Sequence, residues 1–145
     1  MSEYVSASVR RLVRERARHC CEYCLVHEED CLLPHEPDHI IAIKHNGESA
    51  EANLAWTCFL CNRAKGSDIA SVDPTNGEVV RLFSPRRDEW ATHFELLADG
   101  RFLGLSPMGR VTVSLLKMNR PEQIEFRQTL MNCGLYPRND RNSPK

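Results

Sequence analysis

The sequence contains no run of apolar residues that approaches the ~20 positions a transmembrane helix needs. Its N-terminus also lacks an apolar signal core, because it passes within a few residues into an arginine-rich stretch. We therefore expect a cytoplasmic protein with no membrane partner. The formal net charge is only −1, so the molecule as a whole does not attract polyanions. Neither an internal repeat nor a clear linker divides the 145 residues, and this length suits one domain with one core.

Cysteine, in contrast, is plentiful. Seven are present, and four of them form two Cys-x-x-Cys pairs, Cys21/Cys24 and Cys58/Cys61. Because a reducing cytoplasm disfavours disulfides, these pairs favour metal ligation, and four thiolates at this spacing suit one tetrahedral structural zinc. The alternative is buried cysteine without a ligand, which is common for single cysteines rather than for two pairs in one short segment. Four cysteines leave zinc no open position at which to activate water.

Charge is distributed unevenly along the chain. Residues 10–18 hold five arginines and one glutamate, whereas residues 28–38 hold five acidic residues and no Lys or Arg. A basic helix beside an acidic pocket suits a protein that binds phosphate at one place and a divalent cation at another. The simpler interpretation is that the arginines form a solvated helix face.

The pattern of apolar and turn residues predicts an α+β fold. Helical spacing of apolar residues predicts a helix over 6–19. Prolines at 34 and 37 predict an irregular stretch over 25–37. A ββα unit follows, and its predicted parts are a strand over 38–43, a turn at Asn46-Gly47, an extended segment over 51–56 and a helix over 58–65 that ends at Gly66.

The rest of the chain predicts an α/β extension. Its expected elements are a strand over 78–83, a hairpin of 94–98 and 101–105 around Asp99-Gly100, a helix over 111–118 for which a strand is the alternative, and a helix over 121–131. We thus expect one domain with four parts, namely a basic N-terminal helix over 1–20, a zinc-stapled core over 21–66, the extension over 67–136 and a frayed polar tail over 137–145.

The residues between and beside the cysteine pairs suit phosphodiester hydrolysis, which needs an activated water and neutralised phosphate charge. His39 can take a proton near neutral pH, and Asp38 and Asn62 offer oxygen ligands to a hard divalent cation. The side chains of neighbouring strand residues point to opposite faces. Asp38 and His39 can therefore reach one phosphate only if the strand end is distorted, or they act from adjacent positions with the metal to one side. Lys65 shares a helix face with Asn62 and can reach the phosphate. Asn53 can hydrogen-bond backbone near His39 and fix its ring.

Taken in order, Asp38-His39-Ile40-Ile41, Asn53-Leu54-Ala55 and Cys58-x-x-Cys61-Asn62-x-x-Lys65-Gly66 closely resemble the HNH endonuclease family in its zinc-bearing form. The resemblance implies a ββα-metal (His-Me finger) core that cuts nucleic acid with Mg²⁺ or Mn²⁺ and needs no small-molecule cofactor.

Carried over by position, the resemblance makes His39 the general base and Asp38 and Asn62 the ligands of the catalytic cation. It also makes Asn53 the residue that orients the loop and the base, and we add Lys65 as a phosphate contact. His45 stands where family members often have a His-Gly-Gly turn, and it either touches substrate or caps the turn. Residues beyond the motif look like the C-terminal part of small stand-alone bacterial members.

DNA is the expected partner, with RNA and the oligomeric state left open. The residues we expect to contact nucleic acid are mostly arginines: Arg10, Arg11, Arg14, Arg18, Arg63 and His45. A second hypothesis is a non-catalytic module whose zinc knuckles present a basic surface to nucleic acid. The ordered Asp-His, Asn and Asn-x-x-Lys positions favour the enzyme, because a pure binding module has no need of them.

Overall fold

A computed structural model describes residues 4–138. These residues divide into two compact units, the first reaching Ser67 and including Pro137 and Arg138, the second being Asp68–Tyr136. This division lies one residue from the border expected between core and extension. The expectation of a single domain stays a prediction, and most of the tail predicted to fray, from residue 139 onward, lies outside the described residues.

The first unit begins with α1, Ala7–Arg16, whose N-cap Ser6 accepts a hydrogen bond from the Val9 amide. The helix expected over 6–19 is therefore present but ends earlier, since Arg18 and His19 take positive φ values of 53° and 64°. Val13 of α1 and its C-cap Ala17 pack with Leu54 and Trp56 to form a small buried core.

Strand β1, Glu36–His39, pairs antiparallel with β2, Leu54–Thr57, with Asp38 opposite Ala55 and His39 opposite Leu54. The strand expected over 38–43 thus starts two residues earlier and stops at His39. The strand stops there because the amide and the carbonyl of Ile41 hydrogen-bond to the side chain of Asn53 and not to a neighbouring strand.

Two single-turn 3₁₀ segments, Ile43–His45 and Glu51–Asn53, fill the connection between the strands. The predicted turn is present, with Asn46 in the left-handed region at φ 66°. Helix α2, Phe59–Lys65, follows β2 directly, and the Sγ of its N-cap Cys58 accepts from the Cys61 amide. The expected order of strand, strand and helix is therefore observed.

The second unit contains three helices and two hairpins. Its elements in chain order are β3 Ala70–Val72, β4 Val79–Arg81, α3 Trp90–His93, β5 Phe94–Leu96, β6 Phe102–Gly104, α4 Pro107–Leu115 and α5 Pro121–Asn132. Strand β3 pairs with β4, and β5 pairs with β6. The expected hairpin around Gly100 and the last helix are confirmed, and the ambiguous segment near residue 111 is helical. Strand β3 and the short α3 were not foreseen.

No helix within residues 4–138 combines the length and the apolar character that a bilayer crossing requires.

Candidate active site

The structure brings the four paired cysteines together. One Sγ from each of Cys21, Cys24, Cys58 and Cys61 lies within 4.8 Å of the others, and all four residues are buried. The Sγ atoms of Cys24 and Cys58 are 3.7 Å apart. Four thiolates around zinc at ~2.3 Å form a tetrahedron with edges of roughly 3.8 Å, so the cluster fits such an ion.

Strand β2 positions both cysteine pairs. It leads directly into Cys58, and it also binds the first pair through Glu22, whose amide donates to the Trp56 carbonyl at 2.9 Å while its carboxylate accepts from the Trp56 amide at 2.8 Å. The first pair closes into a tight loop in which the Leu25 amide donates to the Cys21 carbonyl and Leu25 takes φ 67°.

The four clustered thiols shift one another's pKa values in opposite directions. Hydrogen bonds from Cys21, Cys24 and Cys61 hold the pKa of the Cys58 thiol well below its ordinary value. Hydrogen bonds with the neighbouring thiols raise the pKa values of Cys24 and Cys61 well above the ordinary value. Because the thiolate is the form that binds metal, a cation in this cluster must displace the protons of those two thiols.

Asp38 and Lys65 form a buried ion pair beside the cysteine cluster. The Lys65 Nζ lies 3.0 Å from Asp38 Oδ2 and donates to the His39 carbonyl at 3.0 Å. Lys65 is only 1% exposed. Burial raises the pKa of Asp38, and the positive charge of Lys65 offsets only part of that effect.

This placement differs from the phosphate contact expected of Lys65. Helix α2 packs on β1, and the lysine side chain is enclosed there instead of facing solvent. Asn62, one turn earlier on the same helix, is half-buried. Its side chain makes no hydrogen bond to any residue that the structure describes, so its oxygen stays available as a ligand.

His39 ends β1 and is partly exposed, and its Nε2 lies 2.8 Å from Ser49 Oγ. Sequence reasoning did not single out Ser49. No spacing rule could have found it, because Ser49 belongs to the irregular connection and meets His39 only when that connection folds back.

Asn53 holds the connection in shape with three side-chain hydrogen bonds. Its Oδ1 accepts from the Ile41 amide at 2.9 Å, while its Nδ2 donates to the carbonyls of Ile41 at 2.9 Å and Glu48 at 2.8 Å. These are bonds to backbone near His39, as expected. The catalytic roles of His39 and Asn53 stay predictions at this point.

The arginines of α1 are less free than their sequence pattern indicates. Arg10 pairs with Glu36 at 2.8 Å, and Arg14 pairs with Glu28 at 2.6 Å, so the acidic run folds against the basic helix. Arg18 is half-buried. The exposed candidates for nucleic-acid contact are Arg11, His45 and Arg63, the last with its guanidinium 5.4 Å from the Phe59 ring.

Comparison with known proteins bears on the same segment. Residues 21–68 match the family model of the HNH endonuclease. The chain is also 31% identical over 101 residues to Septu protein PtuA of Bacillus mycoides (strain KBAB4), a match that covers 63% of this chain and 14% of that protein. No solved structure matches this chain. The resemblance seen in the sequence is therefore confirmed for residues 21–68, the segment that matches the HNH endonuclease model.

Proposed function

We propose that residues 21–68 act as a metal-dependent endonuclease that hydrolyses phosphodiester bonds in DNA. The observation that carries this proposal is the arrangement around β1, where His39 ends the strand beside Asp38 and Lys65 of α2 contacts both residues. The match of this segment to the HNH family supports the reaction class.

In this proposal two metals have separate tasks. The four cysteines hold a structural zinc that fixes a ββα-metal core, because thiolates are soft ligands that select zinc. Asp38 and Asn62 would hold Mg²⁺ or Mn²⁺ through oxygen, and that cation when bound would neutralise charge on the scissile phosphate.

The side chains of this chain do the remaining work. The His39 imidazole takes a proton from the attacking water, which is a task that suits its position at a partly exposed strand end. Asn53 fixes the shape of the connection between β1 and β2 through its hydrogen bonds to the backbone of Ile41 and Glu48. Lys65 balances the buried charge of Asp38 and binds the His39 carbonyl, so we now infer that it positions the site rather than touching phosphate.

The substrate is expected to lie against the exposed cations Arg11, His45 and Arg63. Arg10 and Arg14 contribute less, because carboxylates already balance both. RNA remains an alternative substrate for the same chemistry.

Plasmid nicking by the purified protein tests the proposal. We expect cleavage with Mg²⁺ or Mn²⁺ and none without a divalent cation, with zinc content measured in each sample so that loss of the structural ion is not mistaken for loss of the catalytic one. His39→Ala should lower the cleavage rate by roughly 100-fold or more, as expected for removal of a general base. Glu51→Ala, which changes an exposed residue of the same connection, is the matched control. A His39→Ala protein that cuts as fast as the parent contradicts the assignment.

One observation favours the second hypothesis, a non-catalytic binding module. The Asp38 carboxylate already has a cationic partner in Lys65, so it has less need of a divalent ion. Fluorescence anisotropy with labelled DNA separates the two hypotheses. Binding without cleavage across a panel of duplex, single-stranded and branched DNAs with Mg²⁺ and Mn²⁺ favours the module.

A further inference from the structure

The hydrogen bond between His39 and Ser49 links the tautomer of the histidine to the direction in which the serine hydroxyl bonds. A neutral imidazole has one N–H donor and one acceptor nitrogen, and the bond made by one nitrogen sets the state of the other. Ser49 Oγ lies 2.8 Å from Nε2. If the hydroxyl accepts the Nε2–H, the Nδ1 lone pair is left to act as a base.

The position of Ser49 is fixed by its neighbours in the chain. The Glu48 carbonyl, directly before it, accepts from Asn53 Nδ2, and the same Asn53 side chain binds both backbone groups of Ile41. One amide therefore ties both ends of the connection 41–48. Ser49 follows the tied end without a flexible residue between them.

Gly47 lets that connection close. A Cβ built on Gly47 would lie 1.6 Å from the Ile41 carbonyl oxygen, so the two backbones approach too closely for any side chain there. The Gly47 amide donates to the Ala42 carbonyl at 3.0 Å and completes the closure. We infer that the closed backbone of the connection keeps Ser49 next to His39.

We propose that Ser49 is a positioning residue for His39, whose hydroxyl accepts the Nε2–H and holds the imidazole in the tautomer with a free Nδ1. This inference rests on the proposed nuclease function. In the reaction, an O–H bond of water breaks and its proton goes to Nδ1. The resulting hydroxide forms the new bond to phosphorus, and the leaving sugar oxygen departs and is protonated by solvent. The imidazolium keeps its Nε2–H bond to Ser49 throughout.

The first test measures the tautomer and needs no cleavage. Two-bond ¹H–¹⁵N correlation spectra of zinc-loaded, ¹⁵N-histidine protein report which ring nitrogen carries the proton, with the His39 signals assigned by their loss in His39→Gln. We expect Nε2–H in the parent and in Ser49→Thr, and a mixture of tautomers in Ser49→Ala. Glu48→Ala changes an exposed neighbour and should resemble the parent. An Nδ1–H tautomer in the parent, or an unchanged ring in Ser49→Ala, overturns the proposal.

The second test measures cleavage. Ser49→Ala should lower kcat roughly tenfold, in the range seen when the partner that orients a functional histidine is lost, with the half-saturating DNA and Mg²⁺ concentrations unchanged. Ser49→Thr should restore most of the rate. A change in half-saturating DNA with kcat unchanged means that the hydroxyl binds substrate, and this also overturns the proposal. A parent that cuts nothing contradicts the nuclease function alone, because the spectra still report the His39–Ser49 bond.

Discussion

At the scale of single residues, the Lys65–Asp38 pair joins α2 to β1 inside the first unit. Both side chains are almost fully buried, and the lysine also donates to the His39 carbonyl. An ion pair enclosed in this way contributes little net stability by itself, but the loss of one partner leaves an isolated charge in a dry place.

Lys65→Met should therefore lower the free energy of unfolding by about 3–5 kcal/mol, a large part of the ~5–15 kcal/mol that a domain has. Urea denaturation of the zinc-loaded protein measures this loss. Lys44→Met, at an exposed lysine, should change almost nothing. The double variant Asp38→Asn/Lys65→Met should recover part of the loss because no buried charge remains. A single variant as stable as the parent would show that Lys65 does not compensate Asp38.

Sequence reasoning foresaw the chemistry of individual residues better than their surroundings. The convergence of Cys21, Cys24, Cys58 and Cys61 was predictable because four thiolates in two Cys-x-x-Cys pairs suit one tetrahedral zinc. The burial of Lys65 did not, because three-residue spacing on a helix says which residues share a face but not what covers that face. The contact of Ser49 with His39 joins residues ten apart through an irregular segment, which has no period to interpret.

At the scale of elements, Glu28 connects α1 with β2. Its carboxylate accepts hydrogen bonds from the Arg14 guanidinium, the shortest at 2.6 Å, and from Trp56 Nε1 at 3.0 Å. Burial alone would raise the pKa of the Glu28 carboxyl, but the bonds from Arg14 and Trp56 hold that pKa below its ordinary value of 4.5. The ionised carboxylate is therefore favoured in the folded state.

Because the folded pKa of Glu28 is depressed, its stabilising contribution is complete well above pH 4.5 and is lost as pH falls below this value through the folded pKa. Glu28→Gln should cost about 1 kcal/mol at pH 7, a modest figure because Arg14 is partly exposed. The difference in unfolding free energy between parent and variant should shrink as pH falls below 4.5. Chemical denaturation from pH 7 downward measures it at each pH at which both proteins keep their zinc, with Glu29→Gln at an exposed neighbour as the control. A difference that stays constant over this range contradicts the linkage.

The predicted end of a helix or strand was right where a residue at that end sets it. It was wrong where a hydrogen bond from another segment sets it. Gly66 marks the end of α2 by its own chemistry, and the structure ends the helix there with φ 54°. The isoleucines after His39 favour a strand, yet Asn53 takes the hydrogen-bonding groups of Ile41 and ends it. A side chain twelve positions away thus overrides local propensity.

At the scale of the whole molecule, all four clustered cysteines belong to the first unit, while Asp68–Tyr136 carries none of them. Zinc binding releases about 10–16 kcal/mol in small zinc-dependent folds, which matches or exceeds the ~5–15 kcal/mol of a typical domain. The first unit should therefore depend on the ion, and the second should not.

Cys58→Ser should release zinc and unfold the first unit while Asp68–Tyr136 keeps its structure. Amide hydrogen exchange followed by mass spectrometry resolves the two, and protection should be lost over residues 4–67 only. Cys133→Ser, at an exposed cysteine outside the cluster, is the matched control. A Cys58→Ser protein that stays folded and zinc-loaded, or loss of protection across both units together, would contradict this prediction.

Leu25 shows what the first cysteine loop requires of its sequence. A left-handed backbone costs a leucine roughly 1–2 kcal/mol, and a glycine would avoid that cost. The Leu25 side chain is, however, only 3% exposed, and burying a leucine contributes about 1.5–3 kcal/mol. The burial of the side chain therefore outweighs the torsional cost of the left-handed backbone. A sequence pattern for this Cys-x-x-Cys loop should allow a buried leucine, and not only glycine, directly after the second cysteine.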